Sequence, residues 1–173
     1  MSKSITPDEG AAGNARVLEK IDGLHGVRVQ HASCSALRSF ASDRGDMTMS
    51  TGIQVTFRRP QADVLTTMVR YEVAASFEGA KEDEDGLPEK ADRIWEISLV
   101  ICADWAVPED ADIPDVDARG FALGQGVMTS HPYARETVQS LSTRMGYPPA
   151  TLDIIRSPWR GLDSVEVGGP EDE

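Results

Sequence analysis

The side chains best suited to chemistry in this chain are an acidic cluster, three histidines, two cysteines and an arginine–glutamate pair. Glu109, Asp110, Asp112, Asp115 and Asp117 stand close together. Calcium uses that kind of carboxylate density. The run lacks the glycine and the terminal glutamate that a helix–loop–helix calcium site requires, so it reads as a solvated acidic turn. His25, His31 and His131 are dispersed, and none stands four residues from another ligand-type side chain. No metal site is expected from them. Cys34 and Cys102 lie far apart with no Cys-x-x-Cys pattern. His31 and Cys34 are three apart, which on a strand points them to opposite faces. Cys102 reads as a small core residue. Gly124-Gln125-Gly126 offers two glycines but no phosphate cradle, and no nucleophile-elbow or dinucleotide fingerprint occurs. Arg135 and Glu136 are neighbours on a predicted helix, so they point apart and read as packing residues. The sequence therefore predicts no catalytic residue and no cofactor.

The elements that position these residues can be read from periodicity. From Ala15, apolar Val17, Leu18, Ile21 and Leu24 share one helical face, closed by Gly23 and Gly26. Residues 1–13 read as a disordered tail. After Gly26 the period becomes two, giving a strand from Val27 to about Leu37. Phe40 to Thr51 reads as a loop containing Met47 and Met49. Three further strands follow: Ile53–Phe57, closed by Pro60; Val69–Phe77; and Trp95–Ile101. Glu78 to Asp92 carries seven acids and two lysines. It reads as an exposed, mobile connection. A short helical turn is expected near Ala118 to Leu123, broken by Gly124 and Gly126.

A longer helix is then predicted to Met145. Pro132 is assigned to its first turn. Ala134, Val138, Leu141 and Met145 form its apolar stripe. Arg144 complements its dipole, Gly146 suits a left-handed C-cap, and Pro148-Pro149 forbid continuation. His131 reads as a residue at the helix start. The result is an α+β domain over 14–160, a four-stranded antiparallel meander with a short N-terminal and a long C-terminal-region helix. Residues 161–173 are Gly- and acid-rich and read as a disordered tail.

The net charge of −12 and pI near 4.6 argue against nucleic acid and anionic membranes as partners. No run approaches the ~20 apolar residues of a membrane span, and no signal peptide is read at the start. Two unpaired thiols fit a reducing cytoplasm. One long and one short helix do not cover a four-stranded sheet. Apolar surface should remain exposed, as at an interface or binding groove.

The string His131-Pro132-Tyr133-Ala134-Arg135-Glu136, followed by Arg144-Met145-Gly146-Tyr147-Pro148-Pro149-Ala150-Thr151-Leu152, resembles the signature helix and exit of the SecB-like chaperone family. The resemblance covers 121–156 well and the strands loosely. It marks Pro132, Tyr133, Arg135, Glu136, Leu141 and Gly146 as the structural signature. It implies an ATP-independent holdase, tetrameric as a dimer of dimers, that binds unfolded or extended polypeptide. It places the client groove between the long helix and the first inter-strand loop, with Phe40, Met47, Met49, Leu123 and Met128 as lining residues. Two departures bear on the client. Ser157 to Glu173 holds Pro158, Gly161, Gly168, Gly169 and Pro170, which disfavours the second helix of the export chaperone whose tail meets the translocase motor. The N-terminal helix is similar to the branch that protects an antitoxin. Export and antitoxin protection both stay open at this point. So do a non-catalytic regulatory partner of one protein and a small enzyme of unrecognised type.

Overall fold

A computed structural model of the chain describes residues 3–38, 46–83, 86–159 and 165–167. The chain opens with a short strand β1 (Lys3–Ile5) and helix α1 (Pro7–Leu18). Long strands β2 (Gly23–Ala36), β3 (Met47–Gln61), β4 (Val64–Phe77) and β5 (Arg93–Ala106) follow. Helix α2 (Asp115–Phe121) passes through a π-helical turn (Ala122–Gly126) into α3 (Val127–Arg144), and β6 (Val165–Val167) comes last. The expected α+β architecture is present: a four-stranded antiparallel sheet, a short N-terminal helix and a long later helix. Within the sheet, β3, β4 and β5 form the consecutive hairpins. The first long strand, β2, crosses over to pair with β5, and the full order is β1-β6-β3-β4-β5-β2.

Alternation explains the sheet. Val69, Tyr71 and Val73 of β4 register with Ile101, Leu99 and Ile97 of β5 and all point to the helical side, where each is almost wholly buried. Each such side chain contributes roughly 1.5–3 kcal/mol by leaving water. The intervening residues face the other side, which no helix covers. Residues Ala62 and Asp63 turn β3 into β4. Arg59 clamps that turn by donating from Nε to the Ala62 carbonyl at 3.1 Å and from a terminal nitrogen to Ala111 at 2.8 Å.

Several sequence expectations are corrected. Residues 3–13 are not an unordered tail: α1 begins at Pro7 because Thr6 and Glu9 form a reciprocal capping box, with Pro7 at the first helical position. Leu24 belongs to β2, and Met47 and Met49 belong to β3. Pro60 lies within β3 at the irregularity between Arg58 and Gln61, where the ladder needs no N–H from it. The acidic connection after β4 is pinned to the sheet. Leu87 is 7% exposed and lies over Gly52, while Arg93 donates to the Pro88 carbonyl and pairs with Asp83 at 3.1 Å. Part of the segment expected as a C-terminal tail forms β6, antiparallel to β1 and parallel to β3. The rest of 160–173 lies outside the described residues.

Gly124 and Gly126 do not break the helix; they let it pack. A Cβ on Gly120 would stand 2.4 Å from the Gly10 carbonyl oxygen, and one on Gly124 would stand 2.7 Å from the Asn14 side chain. Gly13 faces the Asp117 backbone at 3.0 Å by the same measure. Small residues on both helices thus bring α1 directly onto α2 and the π turn. Pro132 sits inside α3, not in its first turn, because the helix runs on unbroken from α2. At the other end Gly146 has φ +87°, and Tyr147 N–H donates to Ser142 O while Gly146 N–H donates to Thr143 O. This is a Schellman closure.

Candidate client-binding surface

The helical layer lies over the middle of the sheet. α3 packs on β5, β4 and β2, while β3 meets that layer through α2 and the π turn. The buried seam of α3 is Val127, Ser130, His131, Ala134, Val138 and Ser142. Leu141, expected at the centre of the stripe, and Met145, expected at its end, are only partly buried, because the seam follows steps of four from Ala134 to Ser142. Ser142 fits this dry seam because its hydroxyl donates to Gln139 O and accepts from Ala150 N–H at 2.9 Å. The segment after α3 is laid back over the molecule in that way, and Leu152 is buried.

Two strips on the helical side stay open. The first half of β3 contributes Met47 and Met49, half-buried against the core, and Ile53, 39% exposed. Met47 faces Phe77 of β4, which is also only partly buried. On the far edge, β2 leaves Leu24 and Val29 each more than 40% exposed in its ladder with β5.

The expected lining residues divide between these places. Met47 and Met49 lie level with Ala75 and Trp95, and Trp95 stacks near Tyr147 at the end of α3. Met128 is 39% exposed near the beginning of α3. Gly126 approaches Thr67, which registers with Phe57, so the start of α3 is about eight residues, roughly 26 Å, from Met49 along β3. The methionines and Met128 therefore occupy opposite ends of the helix. Leu123 lies in the core at 5% exposure, because the π turn directs it inward, and it offers no contact surface. Phe40 lies outside the described residues. Ile53, Phe77, Leu24 and Val29 were missed as surface; alternation marked three of them as apolar strand positions but did not show that the helix leaves them bare.

The signature helix residues have structural surroundings. Tyr133 is 44% exposed, Arg135 is half-buried and Glu136 is exposed, so the two charged neighbours do diverge. His131 is buried, with Nε2 donating to the Asp153 carbonyl at 2.6 Å and its ring 5.9 Å from that of Tyr71. Burial, assisted by the Arg135 charge, holds its pKa below the ordinary 6.5. Burial likewise pushes the Tyr71 phenol up to about 12, against a 3.0 Å hydrogen bond to Ser130.

The acidic turn is tied to α1. Arg16 forms a two-pronged contact with Asp117, with Nε to oxygen at 2.9 Å, and holds that carboxyl below its usual range. Lys20 donates to the Asp112 carbonyl. Among the described residues no three His, Cys, Asp or Glu side chains are grouped to hold a metal. Among the described residues no helix is long and apolar enough to cross a membrane.

Neither a known family pattern nor a characterised relative matches the amino-acid sequence. Solved structures do match. A SecB-like chaperone of Mycobacterium tuberculosis, Rv1957, in complex with a ChAD peptide from the Rv1956 HigA1 antitoxin, superposes with a TM-score of 0.69. The match has 15% identity and covers 85% of this chain and 99% of that one. A protein of unknown function from Streptococcus agalactiae matches with a TM-score of 0.40 at 10% identity, over 89% of this chain and 99% of its own. The crossed-over antiparallel sheet with its helical layer thus has the SecB-like fold of the Mycobacterium chaperone.

Proposed function

We propose that this protein is an ATP-independent holding chaperone that keeps non-native polypeptide in extended form. The observation that carries this reading is the uncovered apolar strip beside α3, Met47, Met49 and Ile53, with Phe77 at its end. Flexible thioethers repack around varied sequences, as a promiscuous site requires. The strip is open and elongated, which suits a chain segment better than a compact ligand. The strip itself is the proposed groove, with Phe40 proposed beside it; Val55 and Phe57, 3% and 5% exposed, close the way from there to Met128. Catalysis has no place in this reading: His131 holds α3 to the segment that follows it, Tyr71 holds β4 to α3, and Asp117 holds α2 to α1.

An antitoxin is the favoured client class over export precursors delivered to a translocase motor. The Mycobacterium protein of the same fold was solved with an antitoxin peptide. Among the described residues no helix follows α3, which suits a chain without the export chaperone's second helix. The protein works in the cytoplasm as a homotetramer in this reading. Support for self-association comes from β2, a 14-residue edge strand with exposed residues on both faces, whereas the opposite edge is capped by the short β1 and β6.

The test is suppression of aggregation of several unrelated unfolded proteins without nucleotide. The Met47→Ser, Met49→Ser variant should lose most of that protection while staying folded at the assay temperature, with a lowered Tm because both side chains pack partly on the core. Two lost anchors at roughly 1.5–3 kcal/mol each weaken a client by two orders of magnitude or more. Unchanged protection by the variant would move the groove elsewhere. Protection of one protein alone would identify a dedicated regulatory partner instead.

A further inference from the structure

The face of the sheet turned away from the helices is divided in two. One end is closed by the acidic connection after β4, with Leu87 over Gly52 and Arg93 held between Asp83 and Glu96. The other end is a concavity of about 570 Å³ lined by Gln30, His31, Gln54, Thr56, Arg58, Met68, Arg70, Ser98 and Val100. That lining contains two arginines and a histidine and no carboxylate, on a chain whose net charge is −12. Glu72 approaches Arg70 to 3.9 Å with both side chains well exposed, a contact of little strength. An irregularity in β2 between Val29 and His31 accompanies the presence of both Gln30 and His31 in the lining.

We propose that this concavity binds an extended segment of a partner protein in which two acidic residues flank an apolar one, in the order acid-x-apolar-x-acid. The spacing comes from the strand register. Arg58 pairs with Thr66, Thr56 with Met68 and Gln54 with Arg70. Arg58 and Arg70 are thus separated by four residue steps along the strand axis, about 13 Å, with Met68 midway. In an extended peptide, residues four apart on one face span that same distance, and the residue between them projects onto Met68, with Val100 level with Arg70. Guanidinium groups suit carboxylates through charge-assisted, two-pronged hydrogen bonds. Gln54 and Thr56 can meet the peptide's own N–H and C=O groups, while Ser98 donates to Glu72 at 2.8 Å and Gln30 accepts from Cys102 at the margin of the site. The site lies on the opposite side of the sheet from α3, so it is separate from the proposed client groove and leaves that groove free.

The experiment uses the full chain and fluorescein-labelled peptides centred on Glu-Thr-Val-Thr-Glu, with Gln-Thr-Val-Thr-Gln as control, read by anisotropy. The acidic peptide should bind, weaken as salt is raised, and lose at least about tenfold in affinity in the Arg58→Gln, Arg70→Gln variant. The reversed pair, Arg58→Glu with Arg70→Glu, should instead take Lys-Thr-Val-Thr-Lys. Aggregation suppression should not change in either variant. Equal binding of the glutamine control, or affinity unaltered by both substitution pairs, would overturn the proposal. Binding that appears only after removal of residues 168–173 would give the site to the chain's own acidic end and overturn the partner assignment. A dimer of the parent that the Arg58→Gln, Arg70→Gln variant dissolves would do the same in favour of a second copy.

Discussion

At His131 the imidazole is held neutral between Tyr71 and the Asp153 carbonyl. Nε2 carries the proton, because its partner is a carbonyl. Nδ1 has no hydrogen-bond partner among the described residues, so a proton added there would be buried without an acceptor. The folded pKa is lowered, so the unfolded chain takes up protons first. Stability is therefore complete above about 6.5 and falls as pH drops through and below that value. His131→Gln should flatten the dependence of Tm on pH over this mildly acidic range, even if it lowers Tm at neutral pH. Tyr71 has the opposite consequence: its neutral form is favoured in the fold, so stability is lost as pH rises from about 10 toward 12. The sequence marked His131 as a helix-start residue and gave no hint of its burial. Its partner Asp153 is 22 residues away, and periodicity carries no information about such contacts.

Among the elements, the strands were legible as alternating runs but came out short. Ile53–Phe57 is only part of a β3 that extends from Met47 to Gln61; Thr51 and Gly52 interrupt the alternation that Met47 and Met49 begin. The beginning of α1 was legible in Thr6-Pro7-Asp8-Glu9, a capping sequence, and was passed over because the apolar stripe starts later. The glycines of the helical layer were misread as breakers because their neighbours across the contact are remote in sequence. Gly120→Ala tests that role. Its methyl would meet the Gly10 carbonyl, and overpacking of this kind costs about 1–3 kcal/mol. Chemical denaturation should show that loss, whereas Gly23→Ala, where no atom lies within 4 Å of the new Cβ, should not. Gly146→Ala places a side chain at φ +87° and should cost about 1–2 kcal/mol by the same measurement.

On the scale of the whole molecule the two open faces have different chemistry. The helical side exposes apolar strips, and the other side exposes a polar concavity with arginines. The α+β class and the incomplete helical cover were legible in the count of elements. Which strand would be left at the edge was not, because strand order depends on a crossover that local pattern does not encode. A lysine in place of Ala32 on β2 tests the role of that edge. Light scattering should show the parent as a stable oligomer and Ala32→Lys as smaller species with little change in secondary structure, since the residue is already exposed. A parent that stays monomeric at micromolar concentration would remove self-association from the proposal.

The crossover of β2 also sets a timetable for biosynthesis. β2 is made early, but its ladder is with β5, whose residues leave the ribosome about 60–80 positions later. At 5–20 residues per second, β2 waits roughly 3–16 s without its neighbour, with Leu24, Val27 and Val29 bare. Such long-range pairing also slows refolding of the complete chain. A rearranged chain in which residues 19–38 are moved to follow Ala106 would make β2 and β5 adjacent, and it should refold faster than the parent in stopped-flow measurements. A protein proposed to shelter the unfolded segments of others thus spends its own first seconds as a candidate for shelter.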